Sequence, residues 1–180
     1  MSITSGVGVE CLSAEIPDDR ALLQELTEIT FSNKDIKVGY PDHRRPLYLT
    51  ASINQISIKK ALVDTGASVN LIPLSTLQAI GISERKIWGC PMEVTRFGRR
   101  GEYIAGQIQL WLKVGFIASL ARFHVVKMEV SYHVLLGRPW LHKHRLVPST
   151  YHQCVKGRLN GKMICIAANP SPFSNRRRLI

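Results

Sequence analysis

A single aspartate interrupts an apolar stretch near the middle of the chain. The segment ALVDTGASVNLIP, residues 61–73, places Asp64 directly after three apolar residues, and Thr65 and Gly66 follow it. A carboxylate beside a buried strand is costly unless it is paired or used. Asp-x-Gly also occurs in ordinary turns, because aspartate bonds its own backbone and glycine accepts positive φ. Average composition gives this triplet by chance in roughly a few per cent of chains of this length, so a function requires a second signal.

The second signal is an apolar pair followed by glycine in HVLLGRPWL, whose Gly137 lies 73 positions after Asp64. The sequence resembles a retropepsin-like aspartic protease in the order of its segments. A strand leads into Asp-Thr-Gly-Ala-Ser, a glycine-bearing hairpin follows, and an apolar-apolar-Gly motif then precedes a short helix. VDTGASVNLIP together with LLGRPWLH is similar, more narrowly, to the protease region of gypsy-type LTR retrotransposon polyproteins, particularly those of plants. The resemblance covers about residues 47–166. It implies a mainly β, single-lobe retropepsin-like (acid protease) closed β-barrel with one or two short helices, acting as a two-fold homodimer.

Peptide hydrolysis without a metal or a covalent nucleophile needs a base for the attacking water and an acid for the leaving nitrogen. Two close carboxylates that share one proton supply both. The chain has five aspartates, at positions 18, 19, 35, 42 and 64, and none after Asp64. This count excludes a two-lobed enzyme with both aspartates in one chain, and the later glutamates follow no Gly-flanked strand end. The economical partner is Asp64 of a second copy, which predicts a homodimer with its site on the two-fold axis.

The resemblance also implies roles for the residues around the aspartate. Asp64, Thr65 and Gly66 form the expected catalytic loop, in which Thr65 hydrogen-bonds across the dimer and Gly66 lets the substrate backbone approach. Ala67 and Ser68 are expected to contact the substrate. Ala67 stands where pepsin-like relatives often carry a hydroxyl, which predicts a pH optimum in the mildly acidic to neutral range.

Two further groups of residues complete the predicted site. Arg99 and Arg100, in FGRRGE, are expected at the tip of a flap that covers the substrate, with a solvated hairpin turn as the alternative. Leu135, Leu136 and Gly137 are expected to pack behind the aspartate loop and support it. No cofactor and no metal ligand is predicted, since the spacing in HKH and HQC matches no familiar metal site.

Short β-strands dominate the rest of the predicted domain. LYLTASINQISIKKALV alternates apolar and polar residues around a turn at Asn54-Gln55, and Asn160-Gly161 predicts a second hairpin. Pairing of Leu159 with Lys162 would then place Val155, Leu159, Ile164 and Ile166 on one face, with Lys156 and Arg158 on the other. Short helices are predicted in PLSTLQAIG and RPWLHKHRL. A hairpin with its tip at FGRRGE is predicted in CPMEVTRFGRRGEYIAGQIQLWLKV, and two apolar strands are predicted in ARFHVVKMEVSYHVLLG. The tryptophans are expected in the core: Trp88, Trp111 and Trp140.

Acidic and basic residues are distributed unevenly along the chain. Residues 1–42 carry 3 Lys/Arg and 8 Asp/Glu, a net of −5, whereas residues 43–180 carry 21 and 5, a net of +16. We therefore expect an acidic, partly helical or disordered leader over 1–42, the protease domain over 43–168 and a basic flexible tail over 169–180. An amphipathic helix is predicted in PDDRALLQELTEI.

The sequence also indicates the compartment in which the protein is expected. No apolar run approaches the length of a membrane span, and the first 20 residues lack the basic and apolar parts of a secretory signal. An intracellular, cytoplasmic chain with free thiols is the expectation, because the cysteines at 11, 90, 154 and 165 form no C-x-x-C pair.

Three functions remain open at this point. The first is a homodimeric aspartic endopeptidase that cleaves an extended polyprotein substrate. The second is a catalytically idle retropepsin-like module for dimerisation or peptide binding. The third is a nucleic-acid-binding domain driven by the basic body, which no aromatic-basic pattern in the sequence supports and which is therefore possible but not specific.

Overall fold

The computed structural model describes residues 28–37, 39, 41–96 and 99–173, with the backbone alone for 93–96 and 99–102. Ten strands and two short α-helices make up this part of the chain. In chain order they are β1 (Tyr48–Ile53), β2 (Ile56–Val63), β3 (Leu71–Pro73), α1 (Leu74–Ala79), β4 (Met92–Arg96), β5 (Arg99–Val114), β6 (Ile117–Val126), β7 (Val134–Leu136), α2 (Arg138–Lys143), β8 (Val147–Ser149), β9 (Cys154–Leu159) and β10 (Lys162–Ala167). The mainly β class and both predicted short helices are confirmed.

Six of the strands close into a barrel. Their order is β1-β2-β7-β3-β6-β5, and β1 pairs with β5 as well as with β2, so the sheet has no free edge among these six. Strand β4 extends the sheet beyond β5. The inward-facing aliphatic and aromatic side chains fill the interior, and Leu49, Ile58, Phe123 and Leu136 retain no exposed surface. Closure of the barrel removes edges that would otherwise pair with other chains.

The β1–β2 hairpin turns at Asn54 and Gln55, as predicted. Both residues have positive φ, 48° and 71°, and Ile53 pairs with Ile56 across the turn. A two-residue turn with this backbone twists in the same sense as the strands it joins. The hairpin therefore delivers β2, and the residues that follow it, to the barrel interior in a fixed register.

Parallel pairing sets the position of the aspartate loop. Strand β7 lies between β2 and β3, and it runs parallel to β2 with Val63 opposite Leu136. The carboxyl ends of parallel neighbours meet at the same edge of a sheet. Asp64, which follows β2, is thereby brought beside Gly137, which follows β7.

The two arginines lie at the start of β5, in the β4–β5 hairpin. Arg99 pairs with Arg96, and residues 97 and 98 between them lie outside the described part of the chain. The expected place of Arg99 and Arg100 at the tip of a flap stays a prediction.

Strands β8, β9 and β10 form a separate antiparallel sheet. Its β9–β10 hairpin turns at Asn160-Gly161 with Leu159 opposite Lys162, and Val155 and Ile166 on the predicted inner face are both buried. The predicted register is confirmed, and the other two residues of the predicted face, Leu159 and Ile164, are half-buried.

Residues before the barrel contact the outer face of that sheet. The Lys156 ammonium lies 2.8 Å from the Asp35 carboxylate and donates to the Thr30 carbonyl at 2.8 Å. Hydrogen bonding to Lys156 lowers the pKa of Asp35. Phe31 stacks on His152 with ring centroids 5.3 Å apart. The domain boundary at residue 42 stays a prediction, and most of the helix predicted in the leader lies outside the described residues.

Two of the three tryptophans contradict the expected core placement. Trp140, in α2, is buried, but Trp88 and Trp111 are exposed to 47% and 51%. Trp111 lies in β5 one residue away from buried Leu110 and Leu112, so strand alternation turns it outward. The apolar neighbourhood in sequence misled the prediction because neighbours along a strand point to opposite faces.

The described cysteines are free thiols, as expected. Cys90 and Cys165 are exposed and Cys154 is buried. Burial is the main cause that raises the pKa of the Cys154 thiol to about 12, so this side chain stays protonated at neutral pH. In the described part of the chain, no helix is long and apolar enough to cross a membrane.

Candidate active site

The loop after β2 holds Asp64 by its backbone and by its side chain. The Asp64 amide donates to the Leu136 carbonyl at 3.0 Å, which ties the loop to β7. The Gly66 amide donates to Asp64 Oδ1 at 2.9 Å, and the Ala67 amide donates to the Asp64 carbonyl at 3.3 Å. The carboxylate is therefore oriented by the turn that follows it rather than by a distant side chain.

Gly137 fits where no other residue would. A Cβ built there would lie 2.4 Å from the Val69 carbonyl oxygen and 2.8 Å from the Ala67 carbonyl oxygen. The next residue, Arg138, donates its amide to the Ala67 carbonyl at 3.0 Å. The backbone that ends β7 thus lies directly against the aspartate loop, and Gly137 permits that approach.

Asn70 connects the loop to both of its neighbours, a role that the sequence reading missed. Its Oδ1 accepts from the Gly137 amide at 2.9 Å, and its Nδ2 donates to the Arg122 carbonyl at 3.1 Å. Its own carbonyl accepts from the His124 amide at 2.8 Å. Asn70 is buried, and a lone amide in the apolar run ASVNLIP is the signal that could have identified it.

The charge of Asp64 has no counterpart among the described residues. The side chain is half-buried, and within the described residues the Gly66 amide is its one hydrogen-bond donor and no cation pairs with it. A partly buried carboxylate with so little stabilisation is a candidate for a site completed by another molecule.

The remaining predicted residues fall into two groups. Thr65, Gly66 and Ser68 are exposed on the loop, whereas Leu135 and Leu136 are buried in β7 behind it. Ala67 is half-buried and packs with the small apolar group of Tyr48, Tyr132 and Leu135. Arg99 and Arg100 belong to the separate hairpin β4–β5, and only their backbone is described.

Two grooves flank this region. One of about 380 Å³ begins at Ser68, Val69 and Asn70 and continues between β6 and α2. A larger groove of about 660 Å³ lies between residues 39–48 and 169–173 and contains none of the predicted site residues. We assign the candidate site to the aspartate loop because the chemistry-bearing residues converge there, not at the larger groove.

The described residues contain no group of three or more His, Cys, Asp or Glu side chains placed to hold a metal ion. The histidines of HKH and HQC have other contacts: His144 Nε2 lies 3.0 Å from Ser119 Oγ, and His152 Nδ1 lies 2.7 Å from Ser149 Oγ.

Comparison with known proteins supports the fold. No protein-family model matches the chain. No curated protein sequence matches it either. Among solved structures, the retroviral protease-like domain of Ddi1 from Leishmania major has a TM-score of 0.56 at 23% identity and covers 69% of this chain and 94% of that one. A retropepsin-like aspartic protease from Rickettsia conorii has a TM-score of 0.49 at 22% identity, covering 62% of this chain and 83% of its own.

The likeness to the Leishmania domain, together with the closed six-stranded barrel, defines a retropepsin-like fold. The predicted fold class is confirmed.

Proposed function

We propose that this chain is an aspartic endopeptidase whose active site forms when two copies bring their Asp64 side chains together. The observation that carries the proposal is the aspartate loop itself. Asp64 is fixed by Leu136 and Gly66, half-exposed, and without a counter-charge in the described part of its own subunit. A second Asp64 across a two-fold axis would share one proton with it, because two close carboxylates do not both ionise.

In this arrangement the two carboxylates have different tasks in each step. The ionised one removes a proton from water, whose oxygen attacks the peptide carbonyl carbon. The protonated one gives its proton to the carbonyl oxygen, which produces a neutral tetrahedral diol. The proton taken from water then passes to the amide nitrogen, the C–N bond breaks and one hydroxyl proton returns to a carboxylate. Thr65 is proposed to hold the two loops together across the dimer.

The proposed substrate is an extended peptide segment of a polyprotein, bound by strand-like pairing in the cleft between the subunits. Gly66 would admit its backbone, Ala67 and Ser68 would contact it, and Arg99 and Arg100 would belong to the hairpin that covers it. The similarity of VDTGASVNLIP and LLGRPWLH to gypsy-type retrotransposon proteases supports the element's own polyprotein as the substrate.

The direct test replaces Asp64 by asparagine and measures cleavage of an unstructured, apolar-rich polypeptide by mass spectrometry. Asp64→Asn keeps the side-chain size and the oxygen that accepts from Gly66, so folding is expected to persist while cleavage is lost. Asp42→Asn is the matched control, because Asp42 pairs with Arg44 on the surface and lies outside the loop. Cleavage by Asp64→Asn at the rate of the unsubstituted chain would disprove the proposal. Binding without cleavage by both proteins would instead favour an idle peptide-binding module.

A mixing experiment tests the shared site. When unsubstituted and Asp64→Asn chains are refolded together at a fixed total concentration, activity should fall with the square of the unsubstituted fraction, since mixed dimers have one aspartate. Excess Asp42→Asn chain should cause no loss. A decrease that is linear in the unsubstituted fraction, or a monomer by sedimentation at concentrations that cleave substrate, would contradict a dimeric site.

A further inference from the structure

The outer surface of the β5–β6 hairpin carries an unusual combination of exposed side chains. Cross-strand register pairs Trp111 with Leu120 and Gln109 with Arg122. The adjoining segment adds Trp88, which pairs with Gln107 through two backbone hydrogen bonds of 2.9 and 2.7 Å. We call this surface the Trp–Arg face, and it consists of Trp88, Gln109, Trp111, Lys113, Leu120 and Arg122.

The apolar side chains of the face are about half exposed to solvent. Trp88, Trp111 and Leu120 retain 47%, 51% and 52% of their accessible surface. A contiguous exposed apolar patch rimmed by polar groups is typical of an interaction site. The Arg122 guanidinium lies 5.5 Å from the centre of the Trp88 ring, so its charge is held against an aromatic surface instead of a carboxylate.

The stretch of β5 and β6 that carries the face has no acidic residue. Residues 103–128 contain no Asp or Glu, and residues 103–180 contain 12 Lys/Arg against one glutamate. Lys143 reaches the edge of the face from α2 and donates its ammonium to the Leu120 carbonyl at 2.7 Å. Three cations, on Lys113, Arg122 and Lys143, thus flank two exposed indole rings.

We propose that the Trp–Arg face binds single-stranded nucleic acid, with bases stacked on Trp111 and Trp88 and phosphates at the three flanking cations. Aromatic rings beside a row of cations are what sequence-tolerant single-strand binders present. An exposed sheet face is also the platform on which RNA-binding sheets stack unpaired bases. The face extends along β5 from Lys113 to Gln107, the residue that pairs with Trp88. This length is about 20 Å, enough for a short oligonucleotide.

This binding does not use the Asp64 carboxylate. Asp64 follows β2 on the loop tied to β7 and is not part of the Trp–Arg face, although Gln109, Leu120 and Arg122 of the face also line the groove that begins at Ser68. Asp64→Asn should therefore leave nucleic-acid binding unchanged, and a failure of either proposal can be recognised without reference to the other.

The test titrates the full chain into a fluorescently labelled twelve-nucleotide oligouridine and follows anisotropy at several salt concentrations. Trp111→Ala should weaken binding roughly ten-fold, and Trp111→Phe should retain most of it because the ring can still stack. Phe116→Ala is the matched aromatic control, since Phe116 is 73% exposed in the turn of the same hairpin and outside the face. It should leave the affinity unchanged.

Charge is tested by the salt dependence. Arg122→Gln should reduce the slope of log K against log salt by about 0.7, the value for one phosphate contact to a single strand. Lys162→Gln, an exposed cation at the β9–β10 turn, should leave the slope unchanged.

Three outcomes would overturn the proposal. If Trp111→Ala binds the oligonucleotide with the same affinity as the unsubstituted chain, the aromatic rings do not contribute to binding. Equal affinity for a duplex of the same length would indicate attraction to phosphate alone. Polyglutamate at the same charge concentration should compete less effectively than unlabelled oligouridine. If the two compete equally well, the face is a docking surface for an acidic protein.

Discussion

Asn70 and Gly137 hold the aspartate loop by opposite means. Asn70 satisfies two backbone groups on neighbouring strands with one buried amide, at 2.9 and 3.1 Å. Gly137 contributes the absence of a side chain, which lets two loop carbonyls approach to distances that a Cβ would forbid. Neither residue carries out chemistry, yet both hold the loop in which the Gly66 amide orients the Asp64 carboxylate.

Gly137→Ala should destabilise the protein and reduce cleavage together. The added methyl would lie 2.4 Å from the Val69 oxygen and must push the loop away, which costs about 2–3 kcal/mol of unfolding free energy. Urea denaturation measures the loss. Gly39→Ala is the matched control, because nothing lies within 4 Å of a Cβ there. Equal stability of the two variants would contradict the close packing described for Gly137.

Asn70→Ala should lower the unfolding free energy by about 3 kcal/mol, because the Gly137 amide and the Arg122 carbonyl both lose a buried partner. Asn70→Asp keeps the acceptor for Gly137 but buries a carboxylate whose second oxygen faces the Arg122 carbonyl, so its loss should be at least as large. Gln78→Ala, which removes an exposed amide bonded to Glu84, is expected to change the stability by less than about 0.5 kcal/mol.

At the scale of elements, the turns define the register of the barrel. Asn54-Gln55 and Asn160-Gly161 have the same positive-φ backbone, but only the second pair has glycine at its second position. A non-glycine residue in the left-handed region is strained, and Gln55 has φ 71°. The first hairpin therefore forms despite its turn, with support from the buried strand residues on either side.

Gln55→Gly should stabilise the protein by up to about 1 kcal/mol, since it relieves the left-handed strain and produces the favoured Asn-Gly turn. Thermal unfolding followed by circular dichroism measures the gain. Gln55→Ala, which leaves the strain in place, serves as the control and should change the melting temperature little. A lower melting temperature for Gln55→Gly would show that the side chain of Gln55 contributes more than its backbone strain costs.

At the scale of the whole molecule, half-buried histidines and excess positive charge make the fold sensitive to acid. Burial lowers the pKa of His124, His133 and His144, and nearby cations lower each further: Arg122 for His124, Lys60 and Lys59 for His133, and Lys143 for His144. Each histidine binds a proton more readily when the chain is unfolded. Stability from these groups is therefore present above pH 6.5 and decreases as the pH falls below it.

The unfolding free energy should accordingly be lower at pH 5.5 than at pH 7.5, measured by urea denaturation in the same buffer ions. His133→Gln should reduce that difference, because one of the three groups no longer takes up a proton on unfolding. His142→Gln, at an exposed position in α2, should leave the difference unchanged. Stability that rises towards pH 5.5 would contradict the direction of all three shifts.

The sequence allowed the strands to be predicted where local rules dominate. The Asn-Gly hairpin, its register and the short helix after Gly137 follow from turn chemistry and apolar periodicity, and all are observed. Trp88 and Trp111 were misplaced because local apolar content does not reveal which face of a strand points inward.

The sequence by itself determined which residues can do chemistry: one aspartate in an apolar strand–loop–strand segment, with no second aspartate after it. Only the tertiary structure decided what surrounds that aspartate. The parallel pairing of β2 with β7 brings Gly137 against the loop, and the β5–β6 ladder collects two tryptophans and Arg122 on one outer face. Contacts between residues distant in sequence depend on strand order and register, which no local pattern contains, so these neighbourhoods become visible only once the barrel is closed.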